Sequence, residues 1–208
     1  MRNRWGLVLY AVLSVAHLVA IAIDEKLPRL LTKLALMPTL AVWARLQGAA
    51  WLLAGALAAS LLGDALLEGD ELLLGMAAFG VAHVCYIVLF SQRTTHRSWK
   101  AAATYGVLWL AGMVFLWPGL DDQRLPVAVY SLLVTGTALT SMWFDWRTGI
   151  GGLVFMVSDG LIGVELAGHD FAGRDYLVMA TYCLAQYLLV VGLVPARERV
   201  AEAVPAAR

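Results

Sequence analysis

Residues 72–90 read LLLGMAAFGVAHVCYIVLF and hold no Asp, Glu, Lys or Arg; their polar interruptions are His83 and Tyr86. Crossing the hydrocarbon core of a bilayer takes about 20 mainly apolar residues, with a working range of about 17–25. Backbone groups find no water there, so an unbroken apolar run of this length reads as a membrane helix rather than an alternating barrel strand. Outward from it, runs of the same kind fall at 6–23, 31–47, 49–68, 99–118, 126–143, 150–166 and 176–194. The links are short, such as Gly69-Asp70-Glu71 and the stretch from Pro118 to Asp122, and the longest polar stretch runs only from Ser91 to Lys100. The run at 31–47 is the least apolar, because Lys33 and Arg45 frame a short uncharged core. The expected fold is an all-α integral membrane protein, one transmembrane domain over residues 1–208 built as a bundle of eight helices.

Composition agrees. Of 208 residues, 61% are hydrophobic and 14% charged, against about 45–50% and about 25% in an ordinary soluble domain, and the mean hydropathy is +0.76. These values exclude a water-soluble domain and a disordered chain. Fifteen basic and fifteen acidic side chains cancel, which speaks against a nucleic-acid partner. Cys85 and Cys183 both sit in apolar stretches and read as small buried hydrophobes. Arg2 and Arg4 before an apolar run resemble a signal peptide, but seven further apolar runs favour a retained first helix.

Lys and Arg divide unevenly between the two ends of an eight-span bundle. Ten fall on one side (Arg2, Arg4, Arg45, Arg93, Arg97, Lys100, Arg147, Arg197, Arg199 and Arg208) and five on the other (Lys26, Arg29, Lys33, Arg124 and Arg174). The positive-inside rule then puts both termini in the cytoplasm. The acids lean the opposite way, with Asp145, Glu198 and Glu202 on the inner side, though they weigh little in this rule. Usage rich in Ala, Leu and Arg suggests a bacterial cytoplasmic membrane.

A charge at the bilayer centre costs on the order of 2.5–3.5 kcal/mol on insertion scales, which makes intramembrane ionisable residues functional candidates. Asp64 and Asp159 fall well inside helices 3 and 7, Asp159 expected the deeper, whereas Glu68 and Glu165 lie close enough to a boundary to be solvated. His83 and Tyr86 share one face of helix 4, and Tyr182 and Gln186 one face of helix 8. Interhelical hydrogen bonding and, for Lys33, snorkelling to the headgroups explain such residues singly. Taken jointly they point to one polar chamber. His17 reads as a packed or interfacial histidine, and glycines 149, 151, 152, 160 and 163 allow close helix approach around Asp159. Asp64-Ala-Leu-Leu faintly echoes Asp159-Gly-Leu-Ile. No local metal-binding spacing accompanies His83, Asp64 and Asp159, and no nucleophile elbow accompanies Ser60 or Ser158, so neither a metal nor a serine triad is expected.

The stretch Ser60-Leu-Leu-Gly-Asp64-Ala-Leu-Leu, then Gly75-Met-Ala-Ala-Phe79-Gly-Val-Ala-His83-Val-Cys-Tyr86, resembles the signature of the YhhN-like lysoplasmalogenase family of eight-helix membrane proteins. Ser158-Asp159-Gly-Leu-Ile and Tyr182-Cys-Leu-Ala-Gln186 follow in the family's order and spacing, so the resemblance covers about residues 30 to 194. Two features depart from it. Lys33-Leu34 with Pro38 later stands where the family tends to have Lys-Pro, and Gly160 stands where a second Ser often follows the helix-7 Asp. The resemblance implies hydrolysis of the 1-alkenyl vinyl ether of lysoplasmalogens to a fatty aldehyde and glycerophosphoethanolamine or glycerophosphocholine. It implies Asp64 and Asp159 as the catalytic pair and Lys33, His83, Tyr86, Tyr182 and Gln186 as substrate-binding residues, with a lysophospholipid substrate and membrane lipid as partners.

Such residues suit such chemistry. A vinyl ether resists bases and nucleophiles, but a proton delivered to its outer alkene carbon generates an oxocarbenium ion that water captures. Two carboxyl groups in different surroundings can divide the tasks of donor and anion, as in glycosidases. The expected division makes Asp159 the acid, with Asp64 kept ionised by Lys33 or His83, and needs no cofactor. Two other readings stand beside it: a transporter or lipid-binding protein in which Asp64, Asp159 and His83 relay protons or hold a headgroup, and a hydrolase of another lysolipid.

Overall fold

The computed structural model describes residues 4–94 and 96–194. Arg2, Arg197, Arg199, Arg208, Glu198 and Glu202, which entered the charge count, lie outside the described residues. Eight long helices follow in order: α1 Trp5–Ala22, α2 Lys26–Leu46, α3 Trp51–Glu68, α4 Leu72–Ser91, α5 Trp99–Leu116, α6 Arg124–Phe144, α7 Trp146–Leu166 and α8 Arg174–Leu193. Two single 3₁₀ turns, Trp117–Gly119 and Asp121–Gln123, link α5 to α6, and the described residues hold no strand.

Each apolar run became one helix, and the boundary differences have local causes. Helix α2 begins at Lys26 rather than 31, with Pro28 in its first turn, where a missing N–H costs nothing. Helix α7 begins at Trp146 rather than 150 because the Asp145 carboxylate caps it, accepting from the N–H groups of Arg147 (3.1 Å) and Thr148 (3.4 Å). Seven of the eight are long and apolar enough to cross a membrane. The exception is α2, which carries Lys26, Arg29, Lys33 and Arg45. With large apolar side chains such as Val12, Val107, Val114 and Val129 turned outward on α1, α5 and α6, the chain is an integral membrane protein.

Neighbour packing closes a ring: α1 against α2, α2 on α3, α3 on α4, α4 on α6, α6 on α7, α7 on α8, and α8 back on α1. Helix α5 stands outside, packed chiefly on α6, where the Trp109 indole N–H donates to Ser131 Oγ at 3.0 Å. The core fills the ring with Leu36, Leu57, Tyr86, Phe90, Phe155 and Leu189, all at most 1% exposed. Small residues set its tightest seams. A Cβ on Gly63 would fall within the Phe79 ring, and one on Gly75 would meet the Leu67 side chain at 2.7 Å, so α3 and α4 touch through both glycines beside Asp64. On α7, Gly149, Gly151, Gly152 and Gly163 are likewise in close contact with neighbours, whereas Gly160 faces open space. The glycine next to Asp159 therefore makes room in the bundle instead of a helix seam.

Candidate active site

Between the ring and α5 lies a cavity of about 170 Å³ bordered by both carboxyl groups, Asp64 from α3 and Asp159 from α7. Its other walls are mostly apolar, including Met76, Phe79, Leu108, Met113 and Val134, with Tyr130, Ser131, Thr135, Ser158 and Tyr182 as polar interruptions. The volume far exceeds the roughly 10–15 Å³ that one water requires. Lys33 stands on its rim and also borders a second, more open cavity of about 650 Å³. The two share Lys33, Leu67, Leu72, Ile162, Leu166, Val178 and Met179 as walls, so the outer space adjoins the apolar inner one.

Each carboxylate takes a hydrogen bond from one tyrosine. Tyr182 on α8 donates to Asp64 Oδ2 at 2.8 Å, and Tyr130 on α6 donates to Asp159 Oδ2. Behind Tyr182 the bonds form a directional chain. Tyr86 donates to Gln186 Oε1 at 2.7 Å, and Gln186 Nε2 donates to Ser60 Oγ at 3.2 Å and to the Tyr182 oxygen at 3.4 Å. One branch, from Tyr86 through Gln186 to Tyr182, runs toward Asp64, and aligned bonds of this kind polarise one another. Tyr86 and Gln186 are both fully buried, so they act on the cavity through Tyr182.

His83 stands on the other side. It is fully buried, with Nδ1 3.0 Å from Thr137 Oγ1 and Nε2 3.9 Å from Asp159 Oδ2. The Thr137 hydroxyl donates to the His83 carbonyl oxygen at 3.3 Å. Thr137 thus anchors one ring nitrogen, and Nε2 is the nitrogen that faces Asp159. Nε2 has no hydrogen-bond partner of its own. Phe155 packs edge-on against both His83, with centroids 4.7 Å apart, and Tyr182, at 5.6 Å, and so fixes the spacing of the two halves.

The expected partners of the aspartates change accordingly. His83 lies beside Asp159, and Lys33 Nζ donates to Glu68 Oε2 at 3.1 Å. Glu68 also pairs with Arg29 at 3.4 Å, so it is an ion-paired residue and not merely solvated. Asp64 is 3% exposed and the Asp159 side chain 13% exposed, beside open Gly160. His17 is packed, 1% exposed, with Nδ1 2.9 Å from Thr32 Oγ1. Tyr130 and Thr137 escaped the reading of the sequence. Both lie on α6, where a lone Tyr and one Thr among several carry no pattern, and only the packing of α6 on α4 and α7 brings them to the site.

Comparison with known proteins places these residues in context. The model of the YhhN family matches residues 28–193, which contain every site residue described. A lysoplasmalogenase, TMEM86B of Rattus norvegicus, is 30% identical over 154 residues, covering 72% of this chain and 65% of its own length. A lysoplasmalogenase of Mycobacterium bovis is 31% identical over 137 residues, 60% of this chain and 51% of that one. The membrane protein YhhN of Escherichia coli O157:H7 is 30% identical over 157 residues, 69% of this chain and 74% of its own. The match thus spans slightly less than two thirds of the rat relative. No solved structure matches the chain.

Proposed function

The chain belongs to the YhhN family, and from that premise we propose that it is a lysoplasmalogenase-like ether hydrolase, cleaving the vinyl ether of a lysoplasmalogen. The observation that carries this reading is one cavity, walled mainly by apolar side chains, in which two aspartates from separate helices meet. The alkenyl chain lies against Met76, Phe79 and Met113, and its linkage reaches the carboxyl groups.

The roles follow from what backs each acid. Asp64 delivers a proton to the outer alkene carbon, while Tyr182 occupies Asp64 Oδ2 and leaves Oδ1 to carry that proton. The double bond's electron pair forms the new C–H bond, and the carbon attached to oxygen becomes an oxocarbenium centre. Asp159, with His83 Nε2 3.9 Å away, stabilises that cation and takes the proton of the attacking water. Water oxygen bonds to the oxocarbenium carbon to give a hemiacetal. The hemiacetal C–O bond to glycerol then breaks as the glycerol oxygen takes the proton held by Asp159 and the hemiacetal hydroxyl gives its proton to Asp64, so a fatty aldehyde and a glycerophospho-alcohol depart and both carboxyl groups return to their starting states. This division reverses the one expected from the sequence, because the imidazole sits with Asp159.

We place both termini in the cytoplasm on the strength of the Lys and Arg distribution, and the protein in a bacterial cytoplasmic membrane on its Ala-, Leu- and Arg-rich usage. The decisive experiment incubates the purified chain in detergent micelles with a 1-alkenyl lysophospholipid and measures aldehyde. Release by the native chain, lost in both Asp64→Asn and Asp159→Asn, is the expected result. Full activity in either variant overturns the two-carboxyl scheme, and lipid binding without aldehyde from the native chain favours a transporter or binding protein.

A further inference from the structure

Helices α5 and α7 meet at their outer ends. A Cβ on Gly163 would meet the Leu116 side chain at 2.9 Å, and one on Gly119, just past α5, would fall on the Ala167 backbone. About one turn further in, a Cβ on Gly112 of α5 or on Gly160 of α7 would meet nothing within 4 Å. Both glycines border the inner cavity, as does Leu108, one turn before Gly112. Among the described residues that line this cavity these three alone are exposed, Leu108 by 45%. The cavity thus reaches the surface of the bundle along a cleft between α5 and α7, and Asp159, with its side chain 13% exposed, directly precedes Gly160.

That surface faces hydrocarbon. Gly112 and Gly160 lie about 6 Å and about 9 Å inward from the outer ends of their helices at 1.5 Å per residue. Helix α5 carries no charged residue after Lys100, and Asp159 is the only one in α7 between Arg147 and Glu165. The exposed side chains beside the cleft, Val107 and Val114 on α5 and Leu153 and Val157 on α7, are apolar. We infer that the cleft is a lateral mouth through which the alkyl chain of a bound lipid runs out of the inner cavity into the bilayer, held open by Gly112 and Gly160. The inference rests on the single-chain ether lipid of the proposed function and adds the route that its chain takes. The first methylenes of such a chain lie on the cavity wall and the rest stay in hydrocarbon, so lengthening it moves no further apolar surface out of water and leaves affinity unchanged. A sealed cavity would instead reject every chain longer than itself, because the excess methylenes overpack it. A side chain at Gly112 or Gly160 obstructs the mouth and converts the first behaviour into the second.

The test measures binding as a function of chain length. Saturated 1-O-alkyl glycerophosphates, which contain no vinyl ether, with butyl, dodecyl, hexadecyl and eicosyl chains are titrated into the protein at equal mole fraction in detergent micelles. The native protein should bind the three long lipids equally. Gly112→Leu and Gly160→Leu should each weaken the hexadecyl and eicosyl lipids at least about tenfold, the scale of an overpacking clash, and leave the butyl lipid unchanged. Gly106→Leu, on the same helix and also facing open space but outside the cavity lining, should change none of them. A sharp loss of native binding beyond one chain length overturns the mouth, as does equal weakening of butyl and eicosyl lipids, or no weakening, in both glycine variants. Should a variant fail to fold, the native length series decides alone. Aldehyde release from the alkenyl lipid is assayed in parallel. Its absence beside a flat native series strikes the reaction and spares the mouth, and release beside a sharp length limit strikes the mouth alone.

Discussion

The Asp64 wall and the Asp159 wall of the inner cavity are each an aspartate with a tyrosine bonded to it, and they differ in what stands behind the tyrosine and the acid. Asp64 is backed by a chain of donors, Tyr86 to Gln186 to Tyr182, which all push hydrogen toward it. Asp159 is backed by an imidazole, with His83 Nε2 3.9 Å away and the other ring nitrogen tied to Thr137. Under the proposed reaction this difference in second neighbours gives two like residues unlike tasks, as in enzymes that use a carboxyl pair.

The sharpest way to break this comparison is to remove the acids. Asp64→Asn and Asp159→Asn should each lower kcat for aldehyde release by about 10²–10⁴-fold, the usual range for a positioned acid or base. The double variant should be little worse than the more damaged single one, because the two act as a unit; multiplicative losses would mean that they work separately. Next in size is the imidazole. His83→Gln should cost kcat about tenfold, the value of one interaction with a charged group, and leave binding of a saturated ether analogue unchanged. If binding falls while kcat holds, His83 serves the substrate and not Asp159.

Smaller still are the effects of the supporting chain. Gln186→Leu leaves the Tyr86 hydroxyl and Ser60 buried without it and should destabilise the bundle by about 1–3 kcal/mol, read as a fall in melting temperature in detergent. Thr137→Val should reproduce a fraction of the His83→Gln loss and little of that instability. The smallest expected effect separates two glycines. Gly63→Ala drives a methyl into Phe79 and should cost about 1–3 kcal/mol of stability, while Gly160→Ala, facing open space, should leave the melting temperature alone. An unstable Gly160→Ala would show that the cavity beside Asp159 is closed by packing.

How much of this the sequence disclosed varies with the length scale involved. The eight helices were legible because each apolar run must satisfy its own backbone in lipid, a requirement met within the run. The start of α7 was missed since its first residues are polar and glycine-rich, and only the Asp145 cap reveals that they are helical. Asp64 and Asp159 stood out because charge is rare in such runs. Tyr130 did not, since a tyrosine in a membrane helix is common and its importance lies wholly in which acid it faces. Lys33 was visible as a residue, but its partner Glu68, 35 positions away, was not.

By itself, then, the amino-acid order determined the number of helices, the integral membrane character and the small set of ionisable groups that must find partners, because these follow from what each segment can tolerate in hydrocarbon. The tertiary structure alone decided which acid received the imidazole and which received the donor chain. Those outcomes depend on the ring order and rotation of packed helices, set by close seams such as Gly63 on Phe79, and no single segment contains that information.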